Sequence, residues 1–178
     1  MKTLNYEQAR NYVEDGDIIF VRKGTSIWSK LTQLVTKSDT YHCGIAFWVR
    51  DPVYKSRLFI VEAHQGGRRI VSLSSYAQHP MDVIGSPISW EQYCDDLLDN
   101  TGLIPYSIVE YVWIGLLEKF RIRRKVDDFG EVCSKMVAKY LVRGGISLAE
   151  TDISPGNLRS VLQREGYEIK FVIDDTVN

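Results

Sequence analysis

The sequence predicts an α+β fold in which an antiparallel meander of short strands packs against helices, and three observations carry that expectation. Residues 41–49, Tyr41-His42-Cys43-Gly44-Ile45-Ala46-Phe47-Trp48-Val49, are almost wholly apolar or small after His42 and are flanked by polar segments. A strand wetted on one face would alternate polar with apolar, so this run reads as a strand buried on both faces. Between residues 57 and 85 short strand patterns follow one another without helices between them, which is not the βαβ alternation of a doubly wound sheet. From Trp90 the apolar periodicity turns helical.

Taken in order, Tyr6, Ala9, Arg10 and Val13 recur at helical spacing until Asp15-Gly16 breaks the pattern, giving a short helix within residues 5–14. A first strand, Asp17–Arg22, leaves through Lys23-Gly24. Ile27, Leu31, Leu34 and Val35 mark one face of a helix that Thr25 or Ser26 would cap. In the central strand, side chains alternate: His42, Gly44, Ala46 and Trp48 share one face, while Cys43, Ile45, Phe47 and Val49 share the other. The histidine thus sits above two very small residues, where a helix has room to approach and bring its own side chains beside the imidazole. Arg57–His64 is expected to pair with the central strand as an antiparallel hairpin, and after the Gln65-Gly66-Gly67 turn come strands at Arg69–Leu73 and Met81–Gly85. Helices follow at Trp90–Leu98 and at Ile108–Phe120, the second with only Glu110, Glu118 and Lys119 charged and so nearly all buried or lying over an apolar pocket. A helix at Cys133–Val142 closes at Gly144-Gly145, Pro155 opens a last helix to Glu165, and Tyr167–Ile173 is a final strand.

A length of 178 residues suits one domain with a substantial core, and no internal repeat or low-complexity segment divides it. The net charge of −1 gives no global attraction to nucleic acid or an anionic membrane. The local basic cluster Lys119, Arg121, Arg123, Arg124 and Lys125 reads as a solvated connection, and anionic-polymer binding there would be strongly salt-dependent. The first residues lack the apolar stretch of a secretory signal, and no run is long enough to span a bilayer, so a cytoplasmic location is the expectation. Three cysteines at 43, 94 and 133, without a Cys-x-x-Cys pair, point to free thiols and give no zinc site. No cofactor is implied.

Three residues invite chemistry. Cys133 falls at or within the first turn of its helix, with Asp127 or Asp128 the nearest good cap. Unpaired N–H groups at a helix start favour a thiolate and a developing oxyanion. Cys133, Met136, Val137, Tyr140 and Leu141 share a helix face that must pack on the sheet, so the thiol points inward. Glu62 interrupts the otherwise apolar row of Leu58, Ile60 and His64 and needs a partner if buried, which an imidazole on the adjacent strand would supply. His42 is that imidazole. A histidine held by a carboxylate and facing a cysteine is the geometry of a cysteine hydrolase. Against it stand the ordinary alternatives, a core histidine bonded to its neighbours and a cysteine acting as a small hydrophobe. His64 competes with Glu62 for the orienting role, while His79, before Pro80, reads as structural or exposed.

Gly16-Asp17-Ile18-Ile19-Phe20, Tyr41-His42-Cys43-Gly44-Ile45, Val61-Glu62-Ala63 and Cys133-Ser134, in that order, resemble the circularly permuted branch of the NlpC-type papain-like hydrolases, the YaeF/YiiX-like group. The resemblance covers about residues 16–145 and implies a permuted papain-like fold with the histidine strand ahead of the cysteine helix. It implies Cys133 as nucleophile, His42 as general base and Glu62 as the orienting residue, acting on a peptide, amide or acyl small-molecule substrate. Cys43 stands where a branched apolar residue is common, and the export signal of a cell-wall enzyme is missing. A peptidoglycan role would then require recycled fragments inside the cell or, for a phage enzyme, release by a holin. Relatives of the lecithin retinol acyltransferase type make a lipid-directed acyl transfer the alternative, and a silent binding module on the same scaffold is the non-enzymatic rival.

Overall fold

The computed structural model describes residues 2–24, 30, 33–34, 37–50, 53, 55–64, 67–99, 101–102, 132–149 and 151–176. The helix expected around Ile27–Val35 falls mostly outside them, and the Ile108–Phe120 helix and the basic cluster fall wholly outside. The chain is α+β. Its strands are β1 (Thr3–Leu4), β2 (Ile18–Arg22), β3 (Thr40–Val49), β4 (Arg57–His64), β5 (Gly67–Ser72), β6 (Met81–Ile84) and β7 (Ile169–Ile173). Its helices are α1 (Tyr6–Ala9), α2 (Trp90–Asp99), α3 (Cys133–Arg143) and α4 (Pro155–Arg164), with 3-10 turns at Arg10–Tyr12 and Leu73–Tyr76.

Local chemistry sets these boundaries. The Asn5 side chain accepts from Gln8 N–H to start α1, and Ser154 does the same for Asn157 ahead of Pro155 in α4. Gly16 takes a left-handed φ of 91°, and the turn it makes is pinned to β3 by Gly16 N–H on the Ala46 carbonyl and Ala46 N–H on that of Asp17, both at 2.8 Å.

The seven strands form one sheet in the order β1-β7-β6-β2-β3-β4-β5. The run β2 to β5 is an antiparallel meander, with β3 and β4 the expected hairpin, but the expected continuation of the meander into Met81–Ile84 does not occur. The chain then crosses back so that β6 pairs with the other side of β2, and β7 pairs with β6. The sheet is mixed rather than wholly antiparallel, because β1 pairs parallel with β7. Two residues carry too little alternation to announce a strand. Thr3–Leu4 is specified by its partner, through Val172 N–H on the Lys2 carbonyl and Asp174 N–H on that of Leu4.

Each face of the sheet has its own core. Ile18, Phe20, Cys43, Ile45, Phe47, Val61 and Ala63 pack with Met136, Val137, Tyr140 and Leu141 of α3 and with Leu158 and Leu162 of α4. On the other face Ile19, Val21, Ala46, Leu58, Ile60 and Met81 pack with Tyr6, Ala9 and Leu73. This corrects one expectation. The cysteine helix does not approach over Gly44 and Ala46; it lies on the face that carries Cys43. The large row Phe20, Ile45, Phe47 and Val61 offers far more apolar contact to a helix, and the slot above Gly44 is already filled, since a Cβ there would come within 2.7 Å of Ile60 side-chain atoms and of the Val61 carbonyl.

Ion pairs tie the late elements down. Buried Asp82 of β6 meets Arg22 of β2 at 3.2 Å and Arg159 of α4 at 2.5 Å, and Lys170 of β7 reaches Glu14 at 2.7 Å and Asp17 at 3.0 Å. No helix among the described residues is long and apolar enough to cross a membrane.

Gly44→Ala should therefore destabilise the protein by about 1–3 kcal/mol, because neither Ile60 nor the β4 backbone can retreat without moving the core. Urea unfolding measures it, and an unchanged midpoint would show that the β3–β4 contact relaxes freely.

Candidate active site

Cys133 is the first residue of α3, preceded by Val132 in extended conformation with no side-chain cap bond. Asp127 and Asp128, expected as caps, lie outside the described residues, and the residue at the cap position is Val132. A valine side chain cannot accept a hydrogen bond, so Val132 itself caps none of the first N–H groups of α3. Both sulfur and helix start are in the interior, Cys133 being 3% exposed.

Glu62 is fully buried and His42 is 7% exposed, and their side chains meet at 2.7 Å from Nε2 to Oε2. The β3–β4 ladder runs from Ile45 opposite Val61 to Val49 opposite Arg57, and does not extend to His42 and His64. On its other side His42 still pairs with Val21 of β2, immediately before the register shifts at Arg22 opposite Thr40. His42 reaches Glu62 of β4 and also interacts, by charge and by side-chain hydrogen bonding, with Cys133 on the opposite side of the sheet. Glu62 accepts further bonds at both oxygens. Arg69, its cross-strand neighbour in β5, gives Nε to Oε1 at 2.8 Å, and Tyr76, at the end of the Leu73–Tyr76 turn, gives its hydroxyl to Oε2 at 2.7 Å.

Electrostatics follow from that packing. Burial alone would push the Glu62 carboxyl up, but His42, Tyr76 and Arg69 outweigh it and hold the group ionised, down to about 2. Burial likewise works against the charged imidazole, yet the Glu62 carboxylate and Cys133 lift His42 to about 10. At Cys133 the hydrogen bond from Cys43 is the largest influence; with His42 it overcomes burial and brings the thiol well below its usual value. Because ionised Glu62 can only accept, Nε2 of His42 carries the hydrogen, and Nδ1 is left for the sulfur.

Cys43 holds the principal surprise. Alternation places it on the face opposite His42, and that face is the one α3 covers, so Cys43 lies in the same buried cluster as Cys133, where it helps lower the Cys133 thiol. Its own thiol is pushed well above the ordinary value by burial and then by Cys133 and Glu62, which keeps it a donor. The three thiols are free, as expected. Of the other histidines, the His64 ring lies 6.3 Å from that of His42 at 79°, and the His79 ring lies 5.9 Å from that of Tyr41. Sequence reasoning missed Arg69 and Tyr76. Arg69 was within reach, since counting outward from the Gln65-Gly66-Gly67 turn sets it opposite Glu62, whereas nothing local marks Tyr76. No group of three or more His, Cys, Asp or Glu among the described residues is arranged to hold a metal ion.

No family model matches the chain, and no curated protein matches it. Among solved structures it is similar to the metalloprotein yiiX from Escherichia coli O157:H7, a DUF1105 protein, with a TM-score of 0.42 and 18% identity over 90% of this chain and 88% of that one. A likeness that distant transfers no residue roles, so the chemistry of the site rests on its own geometry.

The depressed Glu62 pKa makes stability pH-dependent in a definite direction. A carboxyl whose folded value lies below its ordinary 4.5 contributes stability that is complete above 4.5 and is lost as pH falls through about 2. The raised His42 value adds stability that is complete below 6.5 and lost as pH rises through about 10. Urea unfolding across the acid limb should be markedly flatter for Glu62→Gln than for the wild type. Parallel limbs for the two proteins would mean that Glu62 is not held ionised.

Proposed function

We propose that the chain is a cysteine hydrolase of permuted papain-like arrangement that opens an amide or peptide bond through a thioester, with Cys133 as nucleophile, His42 as general base and acid, and Glu62 as the orienting residue. The observation that carries the reading is a buried imidazole held at 2.7 Å by a buried carboxylate and close enough to Cys133, the first residue of α3, for each to shift the other's pKa. A structural histidine does not need a thiol held below its ordinary pKa on its other side. In the resting site the pair is a thiolate and an imidazolium.

The thiolate adds to the substrate carbonyl carbon, and the oxyanion that forms takes hydrogen bonds from N–H groups at the start of α3. The imidazolium gives its proton to the departing amine as the C–N bond breaks, which leaves a thioester on Cys133 and a neutral imidazole. Water then enters, His42 takes one of its protons, and the hydroxide adds to the thioester. Collapse expels the thiolate and releases a carboxylic acid, with His42 again protonated. Glu62 stays ionised throughout and keeps Nε2 occupied, so that Nδ1 remains the nitrogen that exchanges protons with sulfur and substrate. The substrate class is a peptide, isopeptide or small amide, of which cell-wall stem peptides are members.

Peptide mapping after iodoacetamide treatment of the native protein tests the pair without a known substrate. Cys133 should label faster than half-buried Cys94, and His42→Ala should slow Cys133 alone. Cys43 should label slowest despite its position next to His42, because burial and its neighbours keep it a thiol. Equal, slow labelling of all three, unchanged by His42→Ala, would leave a catalytically silent binding module as the better reading.

Peptidoglycan fragments and acylated amines should then be screened for hydrolysis. Cys133→Ala is expected to lower turnover by at least ~10³-fold and Glu62→Gln by ~10-fold or more, with His64→Ala retaining most activity. The reverse ranking of Glu62→Gln and His64→Ala would transfer the orienting role to His64.

A further inference from the structure

We propose that Tyr76 is a positioning residue for this site: its hydroxyl and its ring together fix the carboxylate oxygen and the imidazole plane that present Nδ1 of His42 to Cys133. The proposal rests on the reading of Cys133 and His42 as nucleophile and base. The two Glu62 oxygens do different work. Oε1 receives Arg69 through both Nε and a terminal nitrogen, each at 2.8 Å. Oε2 receives the His42 Nε2 and the Tyr76 hydroxyl, each at 2.7 Å. Arg69 is a charge partner on the far oxygen, with its side chain 44% exposed, whereas Tyr76 shares the single oxygen on which the histidine is anchored.

Tyr76 also touches the base directly. Its ring stacks on the imidazole at 5.6 Å between centroids and 27° between planes. An imidazole bonded only through Nε2 can still swing about that bond and carry Nδ1 away from the sulfur. Stacking removes that freedom, and the hydroxyl stops the carboxylate from turning with the ring. Tyr76 is itself well placed to do this. It ends the turn whose Leu73 is fully buried in the second core, and its carbonyl accepts from His79 N–H at 2.8 Å. Burial and then the Glu62 charge raise the phenol well above its ordinary pKa, so the hydroxyl is a donor at every pH where the protein is folded.

The test compares wild type with Tyr76→Phe, which keeps the stacked ring and removes only the bond to Oε2, and with Tyr76→Leu, which removes both. Iodoacetamide labelling of Cys133 is followed against pH, with Cys94 in the same molecule as the standard for general reactivity. Tyr76→Phe is expected to slow Cys133 labelling at mildly acidic pH by about threefold to tenfold, the scale of one lost hydrogen bond, and to move the midpoint of the profile upward. Tyr76→Leu should slow it further, with Cys94 unchanged in both. A merely structural role would lower the urea midpoint without moving the Cys133 profile of the folded protein, so unfolding is measured in parallel. A wild-type Cys133 no more reactive than Cys94 would overturn the hydrolase reading, and this proposal with it. If the wild type is reactive and Tyr76→Phe labels at the same rate with the same midpoint, the role of Tyr76 alone is overturned.

Discussion

The interaction on which the site depends is the buried contact of Glu62 with His42. A carboxylate without water is unfavourable by several kcal/mol unless its lone pairs are satisfied, and an imidazolium beside it faces a similar penalty. Here the carboxylate has three partners from three elements: His42 of β3, Arg69 of β5 and Tyr76 of the following turn. That number matters, because one partner alone would leave Glu62 half-desolvated and free to take up a proton. With three the charge stays, and a fixed negative charge beside it is what raises the proton affinity of the buried imidazole.

The sheet explains how groups from opposite faces come together. His42 and Glu62 belong to the side that carries Ala46 and Ile60, whereas Cys133 descends with α3 onto the side that carries Cys43 and Ile45. They approach where β3 has lost its ladder to β4 beyond Ile45 and Val61, and where its ladder to β2 shifts register just past His42. Gly44 belongs to the same arrangement: lacking a side chain, it lets Ile60 and the Val61 carbonyl close in beside the point where the strands part.

Much of this was legible in the sequence, and the parts that were not have physical reasons. The strands from Ile18 to His64 and the helix at Cys133 have strong periodicity and clear punctuation, so composition and spacing locate them. Glu62 was visible as a charge in an apolar row. What alternation could not reveal is which face a helix chooses, since that depends on the size of the row it meets, and a reading that counted only the small residues beneath His42 chose the wrong side. Cys43 was consequently assigned away from the site when it lies in it. Tyr76 was hidden because a turn residue reaches its partner by tertiary placement, and the parallel β1–β7 pair because two residues have no pattern of their own.

Cys43 also shows how a nearly neutral group can shape a charged site. A positive side chain next to Cys133 would favour the thiolate strongly but would compete with His42 for the Glu62 charge and drain the imidazolium of its support. A second thiol favours the lowered Cys133 without altering the net charge, and its own thiol is raised first by burial and then by Cys133 and Glu62. The Cys133 thiol is thus lowered without adding a charge that would compete with His42 at Glu62. Backbone N–H groups at the start of α3 act in the same sense, as dipoles that add no charge. In the proposed reading of Cys133 and His42 as nucleophile and base, those two groups alone would change protonation state as one proton passes between them.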